Sequence, residues 1–518
     1  MRTAMGFLVL LAALLAAGFA VAPAAAQKMH EDNAWGFKVK VPSGWREIPL
    51  QVAERWIIGR YQSDRSYLSE EGFNHNPEMK IVVFPEEAKK EAGRIERKED
   101  EDKVRVEIKA RYKDYQAYLK GNFTGGGYYF SKEEQGEIAG VKVSMYEVTV
   151  EKLTYMGKQR LIAWVFHLPD ADIAIEFNLL ENRYDKLKGL CHGTLKSFEL
   201  AERTTEAKQK ENILEIPSPE KWAKMTPIER MKNRKERSEA FIQEAVKNLP
   251  EGWKTKSETH FEVLTRADAR FTKKVADQAE AIREWLDKTF FEIGEDYVPR
   301  TVLRICADSA EERAYTDASS DAWSLDWESR EIVVSKRTDF GQSYEFEWLS
   351  QGICSHWLYN RNRLLFDYMP NWLRWGLVRY VGSGVAKGKN LTFKQDPWER
   401  DQIRKANRES KLVANRDILK MTDKEFHKAN SEAGGALGLQ CAALVRYMMS
   451  PICQRDKRTK DLVFTYLRNL DDVAKPLEEK QRAESKKKGE EPKTAAEERE
   501  LRKKRQEADE KEARYIAD

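Results

Sequence analysis

The residues best placed to do chemistry gather in "EWLSQGICSHWLYNRNRLLFDYMPNWLRWGLVRYVGSG", Glu347 to Gly384. Cys354 and His356 invite a nucleophile and its base, and Glu345, Glu347 and Asp367 invite paired carboxylates for acid and base work. Spacing argues against the first pair. On a helix, residues two apart point to nearly opposite sides, so Cys354 and His356 cannot share a hydrogen bond. The three acids form no recognisable pair and read as solvated or capping residues, although a pair assembled by the fold stays open. Trp348, Trp357, Trp372 and Trp375 crowd the same stretch. Aromatics at helical spacing are expected in a core. The alternative is an open groove for a peptide or glycan, lined by Trp348, Trp372 and His356, since aromatic side chains supply binding energy at interfaces.

Elsewhere the chemical inventory is thin. His167 and His192 stand isolated and read as structural histidines. The five cysteines, Cys191, Cys306, Cys354, Cys441 and Cys453, are widely spaced, with no C-x-x-C pair or Cys/His cluster at ligand spacing. They read as small buried apolar residues, so neither a structural metal of that type nor a cofactor is expected. With 90 basic and 86 acidic residues among 518, the net charge of +4 lacks the concentrated basic face of a nucleic-acid binder.

These residues need elements to hold them. Upstream, "HFEVLT" reads as a strand, "ARFTKKVADQAEAIREWLDKTFF" as an amphipathic helix with Val275, Ala279, Ile282 and Leu286 on one face, and "RTVLRICAD" as a strand. "AWSLDWESREIVVSK" reads as a strand pair. Helices follow, including "GGALGLQCAALVRYMM" and "KDLVFTYLRNL". Strands first and helices later make an α+β domain over 258–474.

A separate domain is expected over 33–200. "WGFKVKVPSGWREI" alternates apolar and charged residues and then turns at Pro42, Ser43 and Gly44. "MKIVVFP", "GVKVSMYEVTVEKL", "QRLIAWVFHLP" and "ADIAIEFNLLE" are further strands, closed by a helix in "NRYDKLKGLCHGTLKSFEL". The charged excursion from Glu86 to Phe123 reads as mostly helical. A polar connector spans 201–257, with "SPEKW" as a loop and "TPIERMKNRKERSEAFIQEAVKNL" as a helix. The tail, 475–518, is almost all charged and lacks a heptad seam, so it reads as disordered or as a solvated helix.

Residues 1–26 have the form of a secretory signal: Arg2, the apolar run "GFLVLLAALLAAGFAVA", and a small-residue exit with cleavage after Ala26. No later segment looks long and apolar enough to cross a membrane. The expected address is exported, periplasmic or extracellular, in a bacterial cell.

Two resemblances sharpen this. The first domain, through its layout together with "GFKVKVPSGW" and "TLKSF", resembles the PsbP-like α/β sandwich, which implies a binding or accessory module. The second, through its strand order and "PNWLRWGLVRY", resembles the gluzincin metallopeptidases, in particular the peptidase-MA-like domain. That resemblance implies zinc held by H-E-x-x-H on one helix and by a glutamate on the next. Carried over residue by residue, the histidine positions fall on Gln351 and Ser355, the catalytic glutamate on Gly352 and the glutamate ligand on Trp375. All four are replaced, and a slip of one residue leaves the site just as empty. The resemblance therefore implies an inherited cleft without its chemistry, filled by Trp375. The function expected is non-catalytic binding of a peptide, glycan or envelope protein, and the alternative is a divergent hydrolase with another site.

Overall fold

The computed structural model describes residues 28–476 apart from 53–55, 73, 87–94, 100–102, 109–111, 124–126, 152–156, 205–211, 218, 295–296, 317–330, 337–340, 363–364, 366–367, 389, 395–396, 471 and 475. The signal-like segment 1–26, nearly all of the 475–518 tail, the first half of "AWSLDWESREIVVSK" and Asp367 lie outside the described residues, as do the side chains of Glu345 and Glu347. The chain divides into two compact units: Met1–Ile48 with Arg55–Ile95 and Ile108–Asn212, and Pro49–Glu54 with Glu96–Glu107 and Ile213–Asp518. The fold is α+β, with antiparallel sheets and helices in the first unit and a mixed sheet with helices in the second.

The first unit is organised by a seven-stranded antiparallel sheet. Its strands are β3 (Trp45–Glu47), β4 (Ile57–Ser63), β5 (Glu78–Pro85), β6 (Tyr128–Ile138), β7 (Val141–Val150), β8 (Gln159–His167) and β9 (Ala171–Leu180), in the order β6-β7-β8-β9-β5-β4-β3. Side chains alternate across a sheet, so register fixes each face. Val143, Phe166, Ile173 and Val83 stand opposite one another in a single row on the core face. That face is covered by a small sheet, β1 (Met29–Asp32), β2 (Phe37–Lys40) and β10 (Glu199–Leu200), and by helix α2 (Tyr184–Leu195). Leu187, Cys191 and Leu195 recur every four residues along α2 and are all buried. Phe198 stacks between Phe37 and Phe166, at ring-centroid distances of 5.5 and 3.8 Å. The opposite face receives α1 (Tyr115–Asn122), whose Tyr115 hydroxyl donates to Glu176 at 2.5 Å. Gly44 closes the Pro-Ser-Gly turn at φ 73°, a left-handed conformation that glycine adopts without strain.

Two local readings need correction. Among its described residues the charged excursion is not mostly helical: Ile95–Glu99 and Lys103–Ile108 are strands in a three-stranded sheet with Asn212–Pro217. Val104, Val106 and Ile108 alternate with charged residues, a period of two that the surrounding charge disguised. Likewise Pro219–Lys224, expected as loop, is a short helix.

In the second unit, β11 (Lys254–Ser257), β12 (Phe261–Thr265), β13 (Thr301–Cys306) and β14 (Ile332–Ser335) form a sheet in that order, with β11 antiparallel and the other three parallel. Parallel strands are covered on both faces and so read as continuous apolar runs. Accordingly every residue of β12 and of β13 is buried. One face meets α3 (Pro227–Lys247), with Ile242 and Ala245 against Leu264 and Val302. A capping box between Thr226 and Glu229 starts that helix. The other face meets α4 (Ala269–Thr289) and α6 (Gly341–Arg361), with α5 (Ser309–Thr316) in the crossover between β13 and β14. Then come α7 (Asn371–Gly382), α8 (Asp423–Glu432) and α9 (Ala436–Met448), and a further helix over 462–470. Contrary to expectation, one stretch, Ala436–Arg455, is long and apolar enough by composition to cross a membrane. In the fold its Leu437, Cys441 and Val445 lie inside the core.

Candidate functional site

Helix α6 presents three different faces at the positions singled out by sequence. Leu349, Ile353 and Trp357 recur every four residues and enter the core, with Cys354 and Leu358 beside them. Gln351 is exposed and Ser355 half-buried one turn further along. Gly352 faces the sheet: a Cβ built there would lie 2.9 Å from Cγ2 of Ile332 in β14. His356, one turn beyond Gly352, is 5% exposed and accepts through its carbonyl from the Asn360 amide at 2.9 Å. On α7, Trp375 is half-buried, 6.3 Å by ring centroid from Phe426 of α8, with Gly438 of α9 also against it.

The tryptophans expected to line a groove do not come together. Trp348 stands 55% exposed, whereas Trp372 is 2% exposed and packs edge-on against Tyr466 at 5.4 Å. Solvent and core separate these two rings, and His356 is buried with the core, so the three do not line one groove.

A zinc ion, implied by the gluzincin resemblance, does not fit these residues. Gln351 and Ser355 offer neutral oxygens, Gly352 offers no side chain and Trp375 carries only an N–H donor. A Cβ at Gly352 would also press on the Ile332 side chain, so a glutamate at that position would require Ile332 to move. No group of three or more His, Cys, Asp or Glu with metal-binding geometry occurs among the described residues.

The fold assembles two other constellations. In the first unit, His167 is not isolated. Its Nε2 lies 2.8 Å from Ser144 Oγ and its Nδ1 2.8 Å from Asp172 Oδ1. Register explains this: His167 pairs directly with Asp172 across the β8–β9 hairpin, and Ser144 of β7 shares their face. The distances are those of a nucleophile relay, but the surroundings differ. Ser144 is 4% exposed, in mid-strand, and its Oγ is also within hydrogen-bond distance of both ends of the Gln135 amide. Acyl transfer needs free donors around the reacting carbonyl, and β7 is paired on both sides by β6 and β8. The row Gln135–Ser144–His167–Asp172 is best accounted for as a polar ladder across four strands. "HLPDAD" held the signal for its His–Asp half, since a tight hairpin sets those two residues opposite each other.

In the second unit, His260 stands just before β12 and meets the polar stripe of α4. Glu280 accepts from the His260 main-chain N–H at 2.8 Å and holds its Nδ1 at 2.6 Å. Burial pushes the Glu280 carboxyl up, but the two hydrogen bonds from His260 outweigh it and hold it below its ordinary value. An ionised Glu280 fixes the proton on Nδ1 and turns Nε2 toward Asp287 Oδ2, 3.8 Å away. Asp287 accepts from Arg283 Nε at 3.0 Å and from the Trp357 indole N–H at 2.7 Å. His260, Arg283 and Asp287, together with Phe291, Tyr297, Val298 and Arg361, line a cleft of about 410 Å³. The sequence reading passed over this site, and only the helical spacing of Glu280, Arg283 and Asp287 hinted at it.

No family model matches the chain, and no curated protein matches it. Solved structures similar to part of it include cyanobacterial PsbP (CyanoP) from Synechocystis sp. PCC 6803, 13% identical, covering 33% of this chain and 91% of its own, with a TM-score of 0.23. PA94, a protein of unknown function from Pseudomonas aeruginosa, is 10% identical over 35% of this chain and 99% of its own, with a TM-score of 0.20. LpqN, involved in cell envelope biogenesis in Mycobacterium tuberculosis, is 10% identical over 35% of this chain and 87% of its own, with a TM-score of 0.21. Likenesses this distant carry no inference about activity.

Proposed function

We propose that this chain is an exported, non-catalytic binding protein. In this reading the second unit has the layout of a gluzincin-type domain with its chemistry lost, and the first unit is a PsbP-like accessory module. The observation that carries the reading is the contact of Gly352 with Ile332, at the position where a gluzincin would hold its catalytic glutamate. Gln351, Ser355 and Trp375 extend it, since none of them supplies a charged or imidazole ligand. The signal-like residues 1–26 support export, which sets the expected ligand among peptides, glycans or proteins of the cell envelope.

A hydrolase is the second reading, and the Ser144–His167–Asp172 row is what favours it. The two separate in one assay. The protein, with and without added zinc, is incubated with unfolded casein and with p-nitrophenyl acetate. The binding-protein reading expects no cleavage of casein and ester turnover equal to that of the Ser144→Ala protein. Casein cleavage, or ester turnover abolished by Ser144→Ala, would restore the hydrolase.

A further inference from the structure

Donors and acceptors around the His260 cleft are unequal, and the inequality indicates what the cleft would take. Both carboxylates are occupied: Glu280 by the main chain and ring of His260, and Asp287 by Arg283 and Trp357. Two donors are left over. Arg283 is 3% exposed and gives Nε to Asp287 and Nη2 to the Val298 carbonyl, while its Nη1 has no partner among the described residues. Tyr297 lines the same cleft, and no hydrogen bond to its hydroxyl is found among the described residues. A buried guanidinium N–H without a partner is costly, on the order of 1–3 kcal/mol or more for a charged group, so an acceptor that enters the cleft beside Arg283 and reaches it is favoured. A cation would find both acids already in use. At the rim the donors give way to apolar surface, where Phe291 is 62% exposed and Val298 lies beside it.

We propose that this cleft binds a carboxylate carried beside an apolar group, the C-terminal end of a peptide, with the carboxylate at Arg283 and Tyr297 and the apolar side chain on Phe291 and Val298. Planar guanidinium and carboxylate match each other's geometry, which makes arginine the suited partner. The inference rests on the reading of this unit as a binding domain and names the ligand class for it.

The test is isothermal titration of the full chain with N-acetyl-Gly-Leu as the free acid, with the same dipeptide as its C-terminal amide, and with inorganic phosphate. The acid is expected to bind and the amide to bind at least about tenfold more weakly, as for loss of a charge-assisted hydrogen bond. Arg283→Ala should abolish binding but also endangers the fold, because Arg283 ties Asp287 to the Val298 carbonyl. Tyr297→Phe removes one hydroxyl and keeps the ring. It should weaken the acid about tenfold and leave the thermal midpoint near that of the parent. Equal binding of acid and amide, no binding of either at millimolar concentration, or binding of phosphate alone would overturn the proposal. Each of those failures leaves the binding-protein reading standing as long as the chain holds no zinc. Stoichiometric zinc would instead remove that reading whatever the cleft binds.

Discussion

Replacing Glu331 by alanine is expected to destabilise the second unit by about 3–5 kcal/mol, because it leaves a buried charge without its counter-charge. Arg304 on β13 is fully buried and makes a two-pronged pair with Glu331 at 2.6 and 2.9 Å. Tyr315 adds its hydroxyl to the same carboxylate at 2.7 Å. The Trp253 and Tyr315 rings lie over the guanidinium at 5.2 and 4.3 Å. Burial works against the charge on Arg304, but Glu331 outweighs it and the guanidinium stays charged, its pKa above the ordinary value. Urea denaturation followed by tryptophan fluorescence measures the loss. The double replacement Arg304→Met with Glu331→Met should recover most of it, since a buried pair exchanged for packed apolar side chains is often neutral or better. A single Glu331→Ala variant as stable as the parent would mean that the pair is solvated and that the sheet is less buried than described.

Gly376→Ala is the second large effect, expected to cost about 1–3 kcal/mol through overpacking. Helices α7 and α9 cross at this glycine. A Cβ there would lie 2.6 Å from Val445 Cγ2 and 2.7 Å from the Cys441 carbonyl oxygen. The valine can be trimmed, but the carbonyl cannot. Combining Gly376→Ala with Val445→Ala should therefore leave the unit no more stable than Gly376→Ala alone, since trimming Val445 opens a cavity and the backbone contact remains. Full recovery in the double variant would show that the helices part readily and that the close approach is incidental. The glycine lies in "WLRWGLVRY", the run that carries the family resemblance, and its contact accounts for a small residue there in terms of packing alone.

The parts of the fold that were legible from sequence are those where a single pattern dominates. The strands from Val141 to Leu180 are rich in β-branched and aromatic residues in apolar runs, and the helix 269–289 keeps Val275, Ala279, Ile282 and Leu286 on one face. Legibility failed where charge and period disagree. Lys103–Ile108 is rich in charge, which suggested a solvated helix, while its apolar residues alternate as in a strand. The corner of α6 and α7 was legible as helices, yet the contact between Gly352 and Ile332 was not, because it depends on which face of α6 meets β14. The His260 cleft was hidden for a different reason. Its groups come from the entry to β12, from α4, from Phe291, Tyr297 and Val298 ahead of β13, and from the last residue of α6, and only tertiary folding brings them together. Between these cases stands His167, whose pairing with Asp172 follows from hairpin register and whose pairing with Ser144 does not.

The corner of α6 and α7 is expected to hold no catalytic metal site, because Gln351, Gly352, Ser355 and Trp375 cannot form one. That expectation is tested most directly by the metal content of the protein spanning Gln27 to Asp518, purified without chelators, incubated with zinc, desalted and measured by mass spectrometry. The account predicts no stoichiometric metal. One tightly held zinc per chain, lost on changing His356 or its neighbours on α6, would contradict it and place a metal centre in this corner.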